Sequence, residues 1–167
     1  RAHWPGTPPL NNYRGPTAAP HNAYRTRGGG YNDWCAIACF SDQEWRRLVE
    51  LMGSPGWATA PTLATMRGRL EHQEDLDRGI GQWSLGLEKY DLAERCQSAG
   101  VQAMPVQSSE DRAEHDPQLR HREMYKTLEH PALGSHRLQN APFKHSETPA
   151  INRTASPLIG QHNQEVL

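Results

Sequence analysis

Proline sets the limits on what this chain can build. Pro5, Pro8, Pro9, Pro16 and Pro20 crowd residues 1–23 among few apolar neighbours, and Pro142, Pro149 and Pro157 recur through residues 139–167. Each fixes φ and lacks a backbone N–H, so neither stretch suits a helix or an interior strand. Both ends read as extended arms, and regular structure is confined to the middle. A length of 167 residues allows one ordinary domain. An apolar share of 35% with 14 glycines is low for a self-contained globule. Arms at both ends of such a core are expected to reach back to a larger body. The chain starts at Arg1 rather than methionine, the pattern of a truncated product, a processed chain or one with a leader not given.

Between the arms the punctuation is clear. From Asn22 to Phe40, aromatic and small apolar residues are broken by Gly28-Gly29-Gly30 and Asn32-Asp33, which predicts two strands joined by a glycine-rich turn. The triple glycine matches neither phosphate-binding glycine pattern and no helix follows it directly, so it reads as a turn. Ser41-Asp42-Gln43-Glu44 is a capping box that starts a helix; its stripe is Trp45, Leu48, Val49, Leu51 and Met52, and Gly53 and Pro55 end it. Leu76, Ile80, Trp83 and Leu87 predict one amphipathic helix through the 70s and 80s. Tyr90, Leu92, Ala93 and Cys96 predict another, closed by Gly100. Val101–Val106 reads as a short strand, and Ser109 to about Glu123 as a polar helix interrupted at Pro117. His130-Pro131-Ala132-Leu133-Gly134 brackets a tight loop, so Lys126–Leu138 is a β-hairpin. The fold class is α+β: a small domain with extended N- and C-terminal arms. The organisation is 1–30 proline-rich linker, 31–125 small domain, and 126–167 hairpin and C-terminal return segment.

Several function classes drop out. Lys and Arg are scattered and the net charge is −1, which leaves no footprint for nucleic acid. No run approaches the ~18 apolar residues of a membrane span, and residues 1–30 lack the apolar core of a signal peptide. A cytoplasmic setting is expected. Cys35, Cys39 and Cys96 fit neither a disulfide framework nor a zinc site; Cys35 and Cys39 fall on one face of a strand and read as buried small hydrophobes. The nine histidines form no HxH, HExxH or carboxylate-flanked cluster, so no metal is expected. His130 reads as a turn residue bonded to backbone rather than a base, and Ser108-Ser109-Glu110-Asp111 as a helix cap rather than a nucleophile.

Recurring words mark the joints between these elements: Ala19-Pro20-His21, Asp42-Gln43-Glu44-Trp45, Leu63-Ala64-Thr65 running to Arg69, Ala99-Gly100-Val101 and Asp116-Pro117-Gln118-Leu119. They continue with His130-Pro131-Ala132-Leu133-Gly134, Ala141-Pro142-Phe143, Thr148-Pro149-Ala150 and Pro157-Leu158-Ile159-Gly160-Gln161-His162. In this order, across residues 14–167, they resemble the C-terminal portion of the family III CoA-transferases of the CaiB/BaiF type. The resemblance implies two interlocked subunits, each with a Rossmann-like large domain, a small α+β domain and a segment that returns to the large one.

The reaction it implies moves coenzyme A from an acyl-CoA to a carboxylic acid through an aspartyl anhydride, covalent catalysis in two acyl transfers. Coenzyme A enters as substrate and no separate cofactor is implied. That aspartate belongs to the N-terminal half, and no aspartate here matches it, so no catalytic residue is assigned and the chain is expected to be inactive alone. Acyl-CoA would be handled only together with that half, in a homodimer or an arm-exchanged oligomer. Substrate-side roles fall to Gly15, Pro16, His21 and Asn22, near the place of the family's mobile glycine-rich loop, and to Gln161 and His162 in the return segment. Arg14-Gly15-Pro16-Thr17 departs from that loop in being poor in glycine, and Glu88 stands at a helix start where the family favours threonine. Two alternatives remain open: a fragment with α-methylacyl-CoA racemase-like chemistry, and a stand-alone binding or oligomerisation module derived from the small domain.

Overall fold

The computed structural model describes residues 18–150 and 152–166 and divides the chain after Val106 into two compact units. In the first, strands β1 (His21–Arg25), β2 (Trp34–Ala38) and β3 (Gln102–Pro105) form an antiparallel sheet in that order. Tyr24 lies opposite Cys35, and Ile37 opposite Ala103. Side chains alternate across a strand, so Tyr24, Cys35, Ile37 and Ala103 enter the core together, while Ala23, Ala36 and Met104 lie on the outer face.

Four helices complete this unit: α1 (Asp42–Leu51), α2 (Met66–Glu71), α3 (Gln73–Ser84) and α4 (Lys89–Ser98). Helix α1 starts as expected, with the Ser41 hydroxyl accepting from the Glu44 amide and the Glu44 carboxylate accepting from the Ser41 amide. Its stripe buries Trp45, Leu48 and Val49 against Leu76, Ile80, Leu92 and Cys96 in one core. The single helix expected through the 70s and 80s is preceded by a second one, α2. The backbone at His72 leaves helical geometry (φ −117°), and α2 turns back toward a 3₁₀ turn at Pro61–Leu63. Periodicity could not announce α2 because the residue it buries completely is Arg69. The Thr65 hydroxyl caps α2 through the Gly68 amide, and only glycine fits there, since a Cβ would stand 1.7 Å from the Thr62 carbonyl oxygen.

Helix α4 carries a second correction. Tyr90, expected on its apolar stripe, is half exposed, whereas Lys89 is buried. The Lys89 stem packs inward and its ammonium donates to the carbonyls of Asn32 and Val106 at 3.3 and 3.1 Å. Glu88 caps this helix itself, its carboxylate accepting from the Tyr90 amide at 2.9 Å.

In the second unit a π-helical turn (Asp111–His115) precedes helix α5 (Pro117–His121), and the interruption falls at Pro117 as the sequence requires. Ser108 and Asp111 cap each other, side chain to amide, and the Asp116 carboxylate caps α5 through the Leu119 amide. Strands β4 (Tyr125–His130) and β5 (Gly134–Gln139) form the hairpin, with Tyr125 opposite Gln139 and His130 opposite Gly134. The tail ends in one helical turn, α6 (Asn163–Val166), and Phe143, Leu158, Ile159 and Val166 are exposed along it.

Trp45 is 2% exposed at the centre of the first unit's core, with Trp57 tilted against it. Trp45→Ala is expected to cost roughly 3–5 kcal/mol, the range for removing a buried large aromatic. Chemical denaturation measures this, and a midpoint unchanged within error would contradict the packing of α1 described above.

Candidate functional site at the entry to strand β1

The chain enters β1 already anchored. The Ala19 amide donates to the Cys39 carbonyl at 3.0 Å and the Cys39 amide to the Pro20 carbonyl at 2.9 Å, which extends the β1–β2 ladder by one rung. From the other side the buried Arg69 Nε donates to the Ala19 carbonyl at 2.8 Å. The residues that follow are therefore presented on a fixed backbone.

His21 and Asn22 occupy adjacent strand positions and so address opposite faces of the sheet. Asn22 shares its face with Tyr24, and both reach one carboxylate on α3. Asn22 Nδ2 donates to Asp77 Oδ2 at 3.0 Å, and the Tyr24 hydroxyl to Asp77 Oδ1 at 2.6 Å. Burial, reinforced by the neighbouring Asp77 charge, pushes the Tyr24 phenol well above its ordinary value, so it remains a donor. A hollow of about 390 Å³ opens beside this triad, flanked by Arg25, Trp34 and Arg78. The Arg25 guanidinium lies 4.4 Å above the Trp34 ring, and Arg78 pairs with Asp75 at 2.8 Å. The triad holds a carboxylate in a fixed orientation with both oxygens engaged. That suits it to position a neighbouring group rather than to attack one.

On the other face the His21 ring meets Phe40, centroids 5.8 Å apart, above a shallow hollow of about 170 Å³ floored by Ala36, Ala38 and Met104. Gln161 and His162 lie in the second unit, in a turn of their own. The Gln161 side chain accepts from the Leu158 amide at 2.8 Å, and His162 Nδ1 lies 2.9 Å from the Glu165 carboxylate. Gly15 and Pro16 fall outside the described residues. His130 does what a turn histidine does: its Nδ1 accepts from the Ala132 and Leu133 amides, each at 3.1 Å. Asn22's partners Tyr24 and Asp77, and the Arg69 anchor, went unread as site residues in the sequence. The Asn22–Tyr24 spacing of two was the available signal, since it places both side chains on one face of a predicted strand.

The model of CoA-transferase family III matches residues 2–163. The chain is 33% identical over 151 residues to succinyl-CoA–D-citramalate CoA-transferase of Chloroflexus aurantiacus, covering 90% of this chain and 37% of that protein. It is 34% identical over 147 residues to formyl-CoA:oxalate CoA-transferase of Streptomyces coelicolor, covering 88% and 35%. Among solved structures, a CaiB/BaiF family protein from Brucella suis superposes with a TM-score of 0.74 at 21% identity, over 91% of this chain and 38% of that one. The chain thus spans little more than a third of the length of the relatives it matches.

The thiols have no place at this site. Cys35, Cys39 and Cys96 are fully buried, and burial pushes each thiol up from 9.0 to about 12. In the unfolded chain they ionise near their ordinary value while the folded chain keeps them protonated. Their contribution to stability is therefore complete below about pH 9 and is lost as the pH rises toward 12. Two outcomes are expected: a thiol reagent at pH 8 that modifies no cysteine until denaturant is added, and a denaturation midpoint that falls from pH 9 to 11. Stoichiometric labelling of the native chain would contradict the burial.

Proposed function

The chain belongs to CoA-transferase family III, and on that premise we propose that it is the small-domain, C-terminal part of an enzyme that moves coenzyme A from an acyl-CoA to a carboxylic acid. In this reading the nucleophilic carboxylate comes from a large domain outside residues 1–167, and the chain alone does not turn over. Residues 31–125 supply most of the small domain and residues 126–167 the return segment. Substrate-side roles are assigned to Gly15, Pro16, His21 and Asn22, and to Gln161 and His162 of the return segment. The exposed Leu158 and Ile159 are the surface that a large domain, or a second subunit in a homodimer, would cover.

One observation supports this best: all seven aspartates are already engaged. Asp42 pairs with Arg69, Asp75 with Arg78 and Asp91 with Arg95. Asp77 takes Asn22 and Tyr24, and Asp33 accepts from the Gly30 amide. Asp111 and Asp116 cap turns in the second unit. An attacking carboxylate must stand free beside a thioester carbonyl, whereas each of these already accepts from a side chain or an amide of the chain, the exposed pairs of Asp75 and Asp91 most weakly.

The test is a transfer assay on the purified chain with succinyl-CoA or formyl-CoA and a panel of free acids including oxalate and citramalate. The expected outcome is no transfer above background and no acyl or CoA adduct in the intact mass. Turnover that survives repurification and is lost on mutating an aspartate of this chain would overturn the proposal.

A further inference from the structure

Charge in the second unit is sorted unevenly. Residues 107–167 carry seven Lys and Arg against eight Asp and Glu, a net charge of −1. Yet a cleft of about 590 Å³ between the end of α5, the hairpin and the segment after it is lined by Arg122, Lys126 and Lys144 and by one carboxylate, Glu123. None of the three cations has a carboxylate partner among the described residues, whereas Arg137, away from the cleft, is paired with Glu114.

The cleft is braced by main-chain ties. Arg122 Nη2 donates to the Pro142 carbonyl at 3.2 Å and Lys126 Nζ to the Asn152 carbonyl at 3.0 Å. Asn152 Nδ2 donates to Asn140 Oδ1 at 3.2 Å, and Asn140 Nδ2 to the Glu123 carbonyl at 3.3 Å. These ties use one donor of Arg122 and one of Lys126 and leave the others for a ligand. Two aromatic rings complete the lining: half-buried Tyr125, and exposed Phe143, whose ring makes a T-shaped contact with His145, centroids 5.0 Å apart.

A guanidinium fork and two ammonium groups take the oxygens of a phosphate, and an exposed ring offers a stacking face to a planar base. The volume is that of a small-molecule site. We propose that this cleft binds the phosphate ester of an aromatic base, with the diphosphate of a nucleotide on Arg122, Lys126 and Lys144 and the base against Phe143. This does not depend on the transfer reading above. A free nucleoside diphosphate and the nucleotide end of coenzyme A present the same chemistry.

The test titrates the full chain with ADP in the presence of EDTA, followed by calorimetry and by amide shifts of residues 122–152. ADP is expected to bind saturably at one site and adenosine not at all. Arg122→Gln and Lys144→Gln should each weaken ADP about tenfold, as the loss of one charge-assisted contact predicts. Phe143→Ala should weaken ADP but leave pyrophosphate unchanged. Both cation side chains are exposed, so these variants keep the wild-type far-ultraviolet spectrum. Coenzyme A is then added as competitor: displacement of ADP identifies the coenzyme as the source of the phosphate ester, and retention identifies a free nucleotide. No saturable ADP binding, or binding that Arg122→Gln and Lys144→Gln leave unchanged, would overturn the proposal.

Discussion

A single buried guanidinium ties the first unit together. Arg69 is 0% exposed, with Nε on the Ala19 carbonyl at 2.8 Å, Nη1 on the Leu63 carbonyl at 3.1 Å and Nη2 on Asp42 at 2.9 Å. Taking such a charge out of water is costly unless its donors are met, and the arrangement meets them from three directions. The three acceptors belong to the entry of β1, the 3₁₀ turn and the first turn of α1. Elements far apart in sequence are thereby fixed against α2, and the guanidinium also lies 5.7 Å from the Trp45 ring. Asp42 is half exposed, so the two main-chain carbonyls, which have no access to water through Arg69, are the acceptors that most need it.

This anchor determines how the candidate site is presented. With Ala19 held by Arg69 and Cys39, His21 and Asn22 leave a fixed backbone in opposite directions. One joins the Tyr24–Asp77 triad beneath the sheet, and the other stands above an outer face made of small residues. The first unit thus presents one anchored edge with two surfaces of different chemistry on either side of it.

What the sequence disclosed follows from how local each signal is. The Ser41–Glu44 box, the hairpin around His130–Gly134 and the interruption at Pro117 depend on residues a few positions apart, and each was legible. Arg69 and Lys89 were not, because hydrophobic periodicity assumes that buried positions are apolar, and here a guanidinium and an ammonium fill them and are satisfied by carbonyls between 6 and 57 residues away. Asp77 was hidden for the same reason: its partners lie 53 and 55 residues away. Adjacent in sequence, His21 and Asn22 read as one polar pair, yet strand geometry separates them, and that much could have been argued from β1 alone. The family was legible in the order of short words at the joints, since those words sit where the backbone turns and each turn demands particular residues.

The most direct test of the account is the stability of Arg69→Lys measured by urea denaturation, with Asp42→Asn beside it. A lysine keeps the charge but cannot reach two carbonyls and a carboxylate from one planar fork. The account predicts a loss of at least about 2 kcal/mol for Arg69→Lys, from carbonyls left buried and unmet, and a smaller loss for Asp42→Asn because Asp42 is half in water. An Arg69→Lys chain within about 0.5 kcal/mol of wild type would contradict the claim that this guanidinium holds the unit together.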